Sequence, residues 1–193
     1  MGVFDSILAQ VYKSVKFVDT VYSQMNQAEI QIAQSRCHVV AFDILNNSER
    51  WFTGQELRDG IRCSSALWLA TPPISYQNSL YSDGGVTEVF PLDYITQHDA
   101  NTSFNGQYFF IDCDARVPYK NPVPTDGLTM MSQLQWAAAS RLADIELAQF
   151  QERMLNLTIV RPSQNILLSA LDINPERMQQ TFQAGYTKGL TLI

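Results

Sequence analysis

The sequence has few of the features that mark membrane, secreted or nucleic-acid-binding proteins. No stretch reaches the ~18 uninterrupted apolar residues of a membrane-spanning helix. The N-terminus lacks the charged start and apolar run of a signal peptide. Lysines and arginines number 13 against 19 aspartates and glutamates, for a formal net charge of −6. Because phosphate contacts need clustered positive charge, we expect no nucleic-acid partner. From the lack of a membrane span and of a signal peptide we expect a cytoplasmic protein.

Cysteine and histidine are also scarce, which leaves little basis for a metal centre. The three cysteines, Cys37, Cys63 and Cys113, have no CxxC spacing and no supporting set of ligands. We expect all three to be reduced residues of the core. His38 and His98 are expected to be structural or solvated, and no spacing supports a metal site.

Alternating strand and helix patterns predict an α/β fold, with a sheet covered on both faces. The length of 193 residues and the hydrophobic content of 46% fit a single domain. Short β-branched or aromatic apolar runs predict buried strands at residues 37–44, 107–113 and 157–160. An extended segment is expected at residues 74–81, followed by a tight turn at Asp83-Gly84-Gly85.

Helices are predicted where apolar residues recur every three or four positions. Thr53 and Glu56 form a capping-box pattern that opens a helix reaching about residue 68. Pro91 is placed to start a short helix through about residue 97, and Asn174 with Pro175 opens a terminal helix. Two longer apolar stripes predict an N-terminal helix (Val3, Ile7, Val11, Val15, Val18, Tyr22, Met25) and the core face of a long helix (Leu128, Met131, Leu134, Ala138, Leu142, Ile145).

The most informative part of the sequence runs from Ser64 to Leu92. Asp83-Gly84-Gly85 alone indicates only a turn, because glycine adopts positive φ and aspartate bonds to nearby backbone. The wider order is a Ser-Ala helix, a Pro-containing loop, an extended segment, Tyr-x-Asp-Gly-Gly and a downstream Pro-Leu. This order resembles the patatin-like lipid acyl hydrolases. Further matches extend the resemblance over most of the chain: Asp43 before Trp51-Phe52, then Ile159-x-Arg161-Pro162 and Gly185-Tyr186.

The resemblance implies a three-layer α/β/α sandwich and a Ser–Asp catalytic dyad. Asp83 matches the aspartate that accepts the proton of the serine, and Gly84 and Gly85 complete the motif. The implied activity is hydrolysis of acyl esters of a lipid or phospholipid substrate, at a membrane surface, with no metal or organic cofactor.

The sequence also departs from the family. It contains no G-x-S-x-G nucleophile elbow and no Gly-rich oxyanion loop, and Val89 stands where the family often has asparagine. Ser64, Ser65 and Ser82 lack the strand-turn-helix elbow that presents a nucleophile. We therefore expect residues 1–193 to be the C-terminal portion of one patatin-like domain, without its N-terminal strands and elbow, and inactive as written. The alternative is a complete, non-catalytic interaction or structural protein that keeps the fold.

Overall fold

The chain is a mixed α/β protein made of two compact units, Met1–Pro91 and Leu92–Ile193. The structure, a computed structural model, describes residues 18–66, 72–87, 89–90, 94–97, 106–112, 127–153, 156–162 and 174–191. None of the helices in these segments is long and apolar enough to cross a membrane.

A four-stranded antiparallel sheet forms the centre of the first unit. Its strands are β1 (Val39–Asp43), β2 (Ser48–Phe52), β3 (Ile74–Tyr76) and β4 (Ser79–Asp83), in the order β2-β1-β4-β3. β1 confirms the strand predicted at residues 37–44. The segment predicted as continuously extended at 74–81 is instead a hairpin. Gln77 and Asn78 both have positive φ, which is the backbone that a two-residue hairpin turn requires.

Along the chain, helices precede the first strand and follow the second. Residues 18–24 are helical, and α1 (Gln27–Arg36) follows at a capping box in which Asn26 and Glu29 bond to each other's backbone. The predicted helix over residues 3–25 is therefore confirmed only for its last part, because residues 3–17 lie outside the described ranges. The sequence interpretation missed the cap at Asn26. Cys37 follows α1 and is exposed, so its placement in the core was wrong.

A 3₁₀ turn (Gly54–Glu56) leads into α2 (Leu57–Ser64), which packs on one face of the sheet. The predicted capping box at Thr53 and Glu56 is wrong, since Thr53 makes no capping hydrogen bond. The Glu56 carboxylate accepts hydrogen bonds from other side chains instead. The core beneath α2 contains the following buried residues: Ala41, Phe52, Cys63 and Tyr81.

The second unit contains a parallel pair of strands, β5 (Tyr108–Ile111) and β6 (Leu157–Val160), at both predicted places. Their predicted burial is wrong, since Phe110 is the one buried residue of β5 and β6 has none. The long helix α3 (Gly127–Arg153) precedes β6. The last helix, α4 (Pro175–Leu190), follows its N-cap residue Asn174 as predicted. The Asn174 side chain accepts a hydrogen bond from the Arg177 amide. A separate helical turn covers residues 94–97.

The core face of α3 differs from the predicted one. Met131, Leu134 and Ile145 are exposed. Among the α3 side chains that the structure describes, the buried ones are Ala143, Glu146, Leu147 and Phe150. The reason is that the C-terminal half of α3 meets the strands. The ring of Phe150 lies 4.5 Å from that of Phe110 and 5.3 Å from that of Tyr108, which fixes the face that turns inward.

Candidate functional site

Asp83 is the last residue of β4, and its backbone is held on two sides. It pairs with Ala41 of the neighbouring strand β1. Its amide donates a 3.0 Å hydrogen bond to the carbonyl of Ala66, just beyond α2. The Ser82 hydroxyl donates to the same carbonyl at 3.0 Å. These contacts fix the end of β4 and therefore the backbone position from which the Asp83 side chain extends.

The predicted turn at Asp83-Gly84-Gly85 is confirmed as a 3₁₀ turn over Gly84–Val86. Asp83 caps it, because its Oδ1 accepts a 2.8 Å hydrogen bond from the Gly85 amide. Gly84 lies against Val40, and a Cβ atom at Gly84 would come within 2.6 Å of the Val40 carbonyl oxygen. The turn thus needs glycine at its first position for close packing against β1.

The surroundings of Asp83 raise the pKa of its carboxyl group. Burial raises the pKa of the carboxyl group above its ordinary value, and the hydrogen bond from Gly85 offsets part of that rise. Within the described residues no other hydrogen bond reaches this carboxylate. One oxygen is therefore oriented by the backbone, and the other keeps its capacity to accept a proton from a further group.

A different Ser–Asp pair exists in the chain, formed by Ser79 and Asp43, but its environment is that of a structural contact. Both residues are buried, and the Ser79 hydroxyl donates a short hydrogen bond to Oδ1 of Asp43. The Asp43 carboxylate also accepts from the Leu45 amide and from the amide and side chain of Asn46.

These donors make Asp43 a poor base. Burial opposes its ionisation, but the hydrogen bonds from Ser79 and Asn46 outweigh burial and lower the pKa to about 2. A carboxylate with so low a pKa has little tendency to take a proton from a serine hydroxyl. Asp43 therefore holds the β1–β2 turn against β4, and of the two aspartates only Asp83 has the properties of a base.

Two of the serines that lack a nucleophile elbow donate their hydroxyl hydrogen bonds to backbone carbonyls. Ser65 donates to the carbonyl of Ile61 at 2.6 Å, and Ser82 donates to that of Ala66. Ser64 is the last residue of α2. The described structure thus brings Asp83 together with Gly84 and Gly85 but gives it no serine partner.

Arg50 organises a cluster that the sequence interpretation missed. Its guanidinium donates to the Tyr81 hydroxyl at 3.0 Å, to Glu56 at 3.0 Å and to Gln77 at 2.8 Å. It also lies over the rings of Phe52 and Tyr76, 4.8 and 5.2 Å from their centroids.

This cluster braces the strand that carries Asp83. Tyr81 is buried and lies two residues before Asp83, so both side chains leave β4 on the same face. The spacing of Arg50 and Phe52 could have indicated the cluster. The two residues are two positions apart in β2, so their side chains lie on the same face of the strand, which is the face that packs on the core.

No protein-family model matches the chain, and no curated protein matches it. In the part of the chain that the structure describes, no three His, Cys, Asp or Glu side chains are grouped so as to hold a metal ion.

Proposed function

We propose that this chain belongs to a patatin-like lipid acyl hydrolase and carries Asp83, the general base of a Ser–Asp dyad. The observation that carries the proposal is the state of the Asp83 carboxyl group. One oxygen is held by the Gly85 amide, burial raises the pKa, and no other described group bonds to it.

This state suits a base in ester hydrolysis. An exposed aspartate with a pKa of ~4 is too weak a base for a serine hydroxyl. A raised pKa lessens that mismatch, and an oriented oxygen lowers the cost of positioning the proton acceptor. In the proposed reaction the serine oxygen attacks the acyl carbonyl while Asp83 takes its proton. The same carboxyl group then returns the proton to the departing alcohol, and water releases the acyl group from the serine.

The serine of the proposed dyad is not among these 193 residues, since no G-x-S-x-G sequence occurs in them. The chain as written is accordingly proposed to be inactive, because it lacks both the nucleophile and the donors of an oxyanion hole. The described strands and helices would then be part of a patatin-like three-layer sandwich. The proposed location is the cytoplasm, as expected from the sequence.

Hydrolysis of a short-chain 4-nitrophenyl ester tests the proposal. The 193-residue chain should show no turnover above buffer. An N-terminally extended chain that contains a G-x-S-x-G segment should show turnover, and Asp83→Asn in that chain should reduce it at least a hundredfold, as loss of a general base does. Asp59→Asn is the matched control, because Asp59 lies in α2 and forms an ion pair with Arg62.

The outcomes separate the two functional hypotheses. Turnover that survives Asp83→Asn would refute the assignment of Asp83 as the base. Turnover by the short chain that depends on Asp83 would mean that one of its own serines is a nucleophile. An extended chain that folds but never hydrolyses the ester would favour the non-catalytic alternative.

A further inference from the structure

We propose that the second unit binds a phosphate group, carried on a larger organic molecule, in the cavity between the end of β6 and α4. The cavity has a volume of about 540 Å³ and is open to solvent. That volume is in the range of small-molecule sites. The α4 residues that line it are exposed, so the cavity is an open groove with room for a phosphate that is carried on a larger molecule. The inference does not depend on the catalytic role proposed for Asp83.

The cavity is lined by hydrogen-bond donors and positive charge. Arg161 and Lys188 supply the cations, and the amides of Gln180 and Gln183 and the hydroxyl of Thr187 supply neutral donors. No carboxylate occurs among the described residues that line it, although the whole chain has a net charge of −6. Because Asp112 offsets the charge of Arg161, the attraction that an anion would meet here comes chiefly from Lys188.

Arg161 is oriented before any ligand arrives. Its Nε donates to Oδ2 of buried Asp112 at 3.1 Å, and Nη2 lies 2.9 Å from the same oxygen. Both contacts use one edge of the guanidinium. Nη1 at the other edge has no hydrogen bond to the described residues, so its N–H groups remain to bind a second anion. Arginine can bridge a carboxylate and a phosphate in this way because its five N–H groups are fixed in a plane.

The other donors are equally unused. The side chains of Lys188, Gln180, Gln183 and Thr187 make no hydrogen bond to any described residue. At the C-terminal end of α4 the Lys188 carbonyl accepts from the Thr191 amide at 3.1 Å and from its hydroxyl at 2.7 Å, which offsets part of the repulsion of an anion by that helix end. Phosphate has more acceptor positions than a carboxylate, so it matches this number of donors better.

The probe for the test is inorganic phosphate, titrated into the ¹⁵N-labelled 193-residue chain at constant ionic strength and followed by amide chemical shifts. We expect saturable shifts at Thr187 and Lys188. Lys188→Gln should weaken binding about tenfold, the usual effect of losing one charge-assisted contact. Arg161→Gln should weaken it at least as much. Arg161→Gln removes an ion pair of the buried Asp112 and can unfold the unit. The variant of the exposed Lys188 therefore decides the test.

Controls distinguish this site from general attraction of anions. Arg58→Gln removes an equal charge from an exposed side chain in the first unit and should leave phosphate affinity unchanged. Acetate at the same concentration should give much smaller shifts. Equal effects of Arg58→Gln and Lys188→Gln, equal shifts with acetate, or no saturable binding would each overturn the proposal.

The source of the phosphate is resolved by sedimentation with phosphatidylcholine vesicles, with and without phosphatidic acid. Binding that needs phosphatidic acid and weakens in Lys188→Gln identifies a lipid headgroup. Saturable binding of free phosphate without binding to these vesicles excludes this lipid headgroup as the source and indicates a soluble phosphate. Either outcome supports a phosphate site, and absence of both contradicts it.

Discussion

Gly84 lies so close to Val40 of strand β1 that a Cβ atom there would be 2.6 Å from both the Val40 carbonyl oxygen and its Cγ1 atom. The contact joins the turn after β4 to the neighbouring strand. It means that the first glycine of Asp83-Gly84-Gly85 is required for packing, while Gly85 is required less strictly, since its nearest neighbour is Oδ1 of Asp83 at 3.3 Å.

Gly84→Ala should destabilise the protein because the added methyl group forces Val40 and the turn apart. We expect the free energy of unfolding to fall by about 2–3 kcal/mol, the cost typical of overpacking a rigid site. Urea denaturation measures the change. Gly85→Ala should cost less, and Gly185→Ala in α4 should cost nothing or stabilise, since a Cβ atom there meets no atom within 4 Å. Equal losses at Gly84 and Gly185 would refute the packing argument.

Asp83→Asn should increase the stability of the 193-residue chain at neutral pH. Burial raises the pKa of Asp83 in the folded state. The carboxyl group therefore favours folding below its unfolded pKa of ~4, and that contribution is lost as the pH rises through the folded pKa. Asparagine removes the cost of a buried charge and can still accept from Gly85. The gain should be present at pH 7 and vanish near pH 3 in urea denaturation; a loss of stability at pH 7 would contradict the raised pKa.

Asp43→Asn should have the opposite effect. Hydrogen bonds from Ser79 and Asn46 overcome the effect of burial and lower the pKa of Asp43 to about 2. Its contribution to stability is therefore present above the unfolded pKa of ~4 and is lost as the pH falls towards 2. We expect the variant to lose about 2 kcal/mol at pH 7, the scale of hydrogen bonds to a charged group. Urea denaturation at pH 3 should show a smaller difference in the free energy of unfolding between the variant and the original chain. A difference that stays constant with pH would rule out the ionised carboxylate as its source.

The sequence was sufficient for features that depend on local patterns. The strands 39–43, 108–111 and 157–160, the cap at Asn174 and the turn after Asp83 all follow from short-range propensity. The sequence was insufficient where the same residue pattern is compatible with two backbone conformations. A continuous extended segment and a tight hairpin differ locally in the backbone conformation of Gln77 and Asn78, which have positive φ. Neither residue is the glycine that usually signals positive φ.

The same limit applies to side chains whose partners are distant in sequence. Glu56 matched a local capping pattern, but Arg50 and Tyr76 take its carboxylate because the fold brings them within 3.0 Å. For the candidate site, the sequence indicated Asp83 and both glycines. The sequence could not indicate the hydrogen bond between Ser79 and Asp43, because these two residues are 36 positions apart.

Arg50→Lys should destabilise the first unit, since lysine cannot reproduce the planar contacts of the guanidinium. Arg50 bonds to Tyr81, Glu56 and Gln77 while it lies over the Phe52 ring, and its side chain is 27% exposed. Partial burial strengthens both the ion pair and the ring contact relative to water. We expect a loss of about 1–2 kcal/mol in the free energy of unfolding by urea denaturation.

Arg58→Lys is the matched control for that prediction. Arg58 also forms an ion pair, with Asp19 at 3.0 Å, and lies 5.9 Å from the Tyr22 ring, but its side chain is 51% exposed. Solvent screening and side-chain entropy leave such surface pairs worth about 0–1 kcal/mol, so the control should lose less than about 0.5 kcal/mol. The difference between the two variants isolates the effect of burial in the Arg50 cluster. If both lose the same amount, the cluster does not brace β4, and the fixed position of Asp83 must come from its contacts with Ala41 and Ala66 alone.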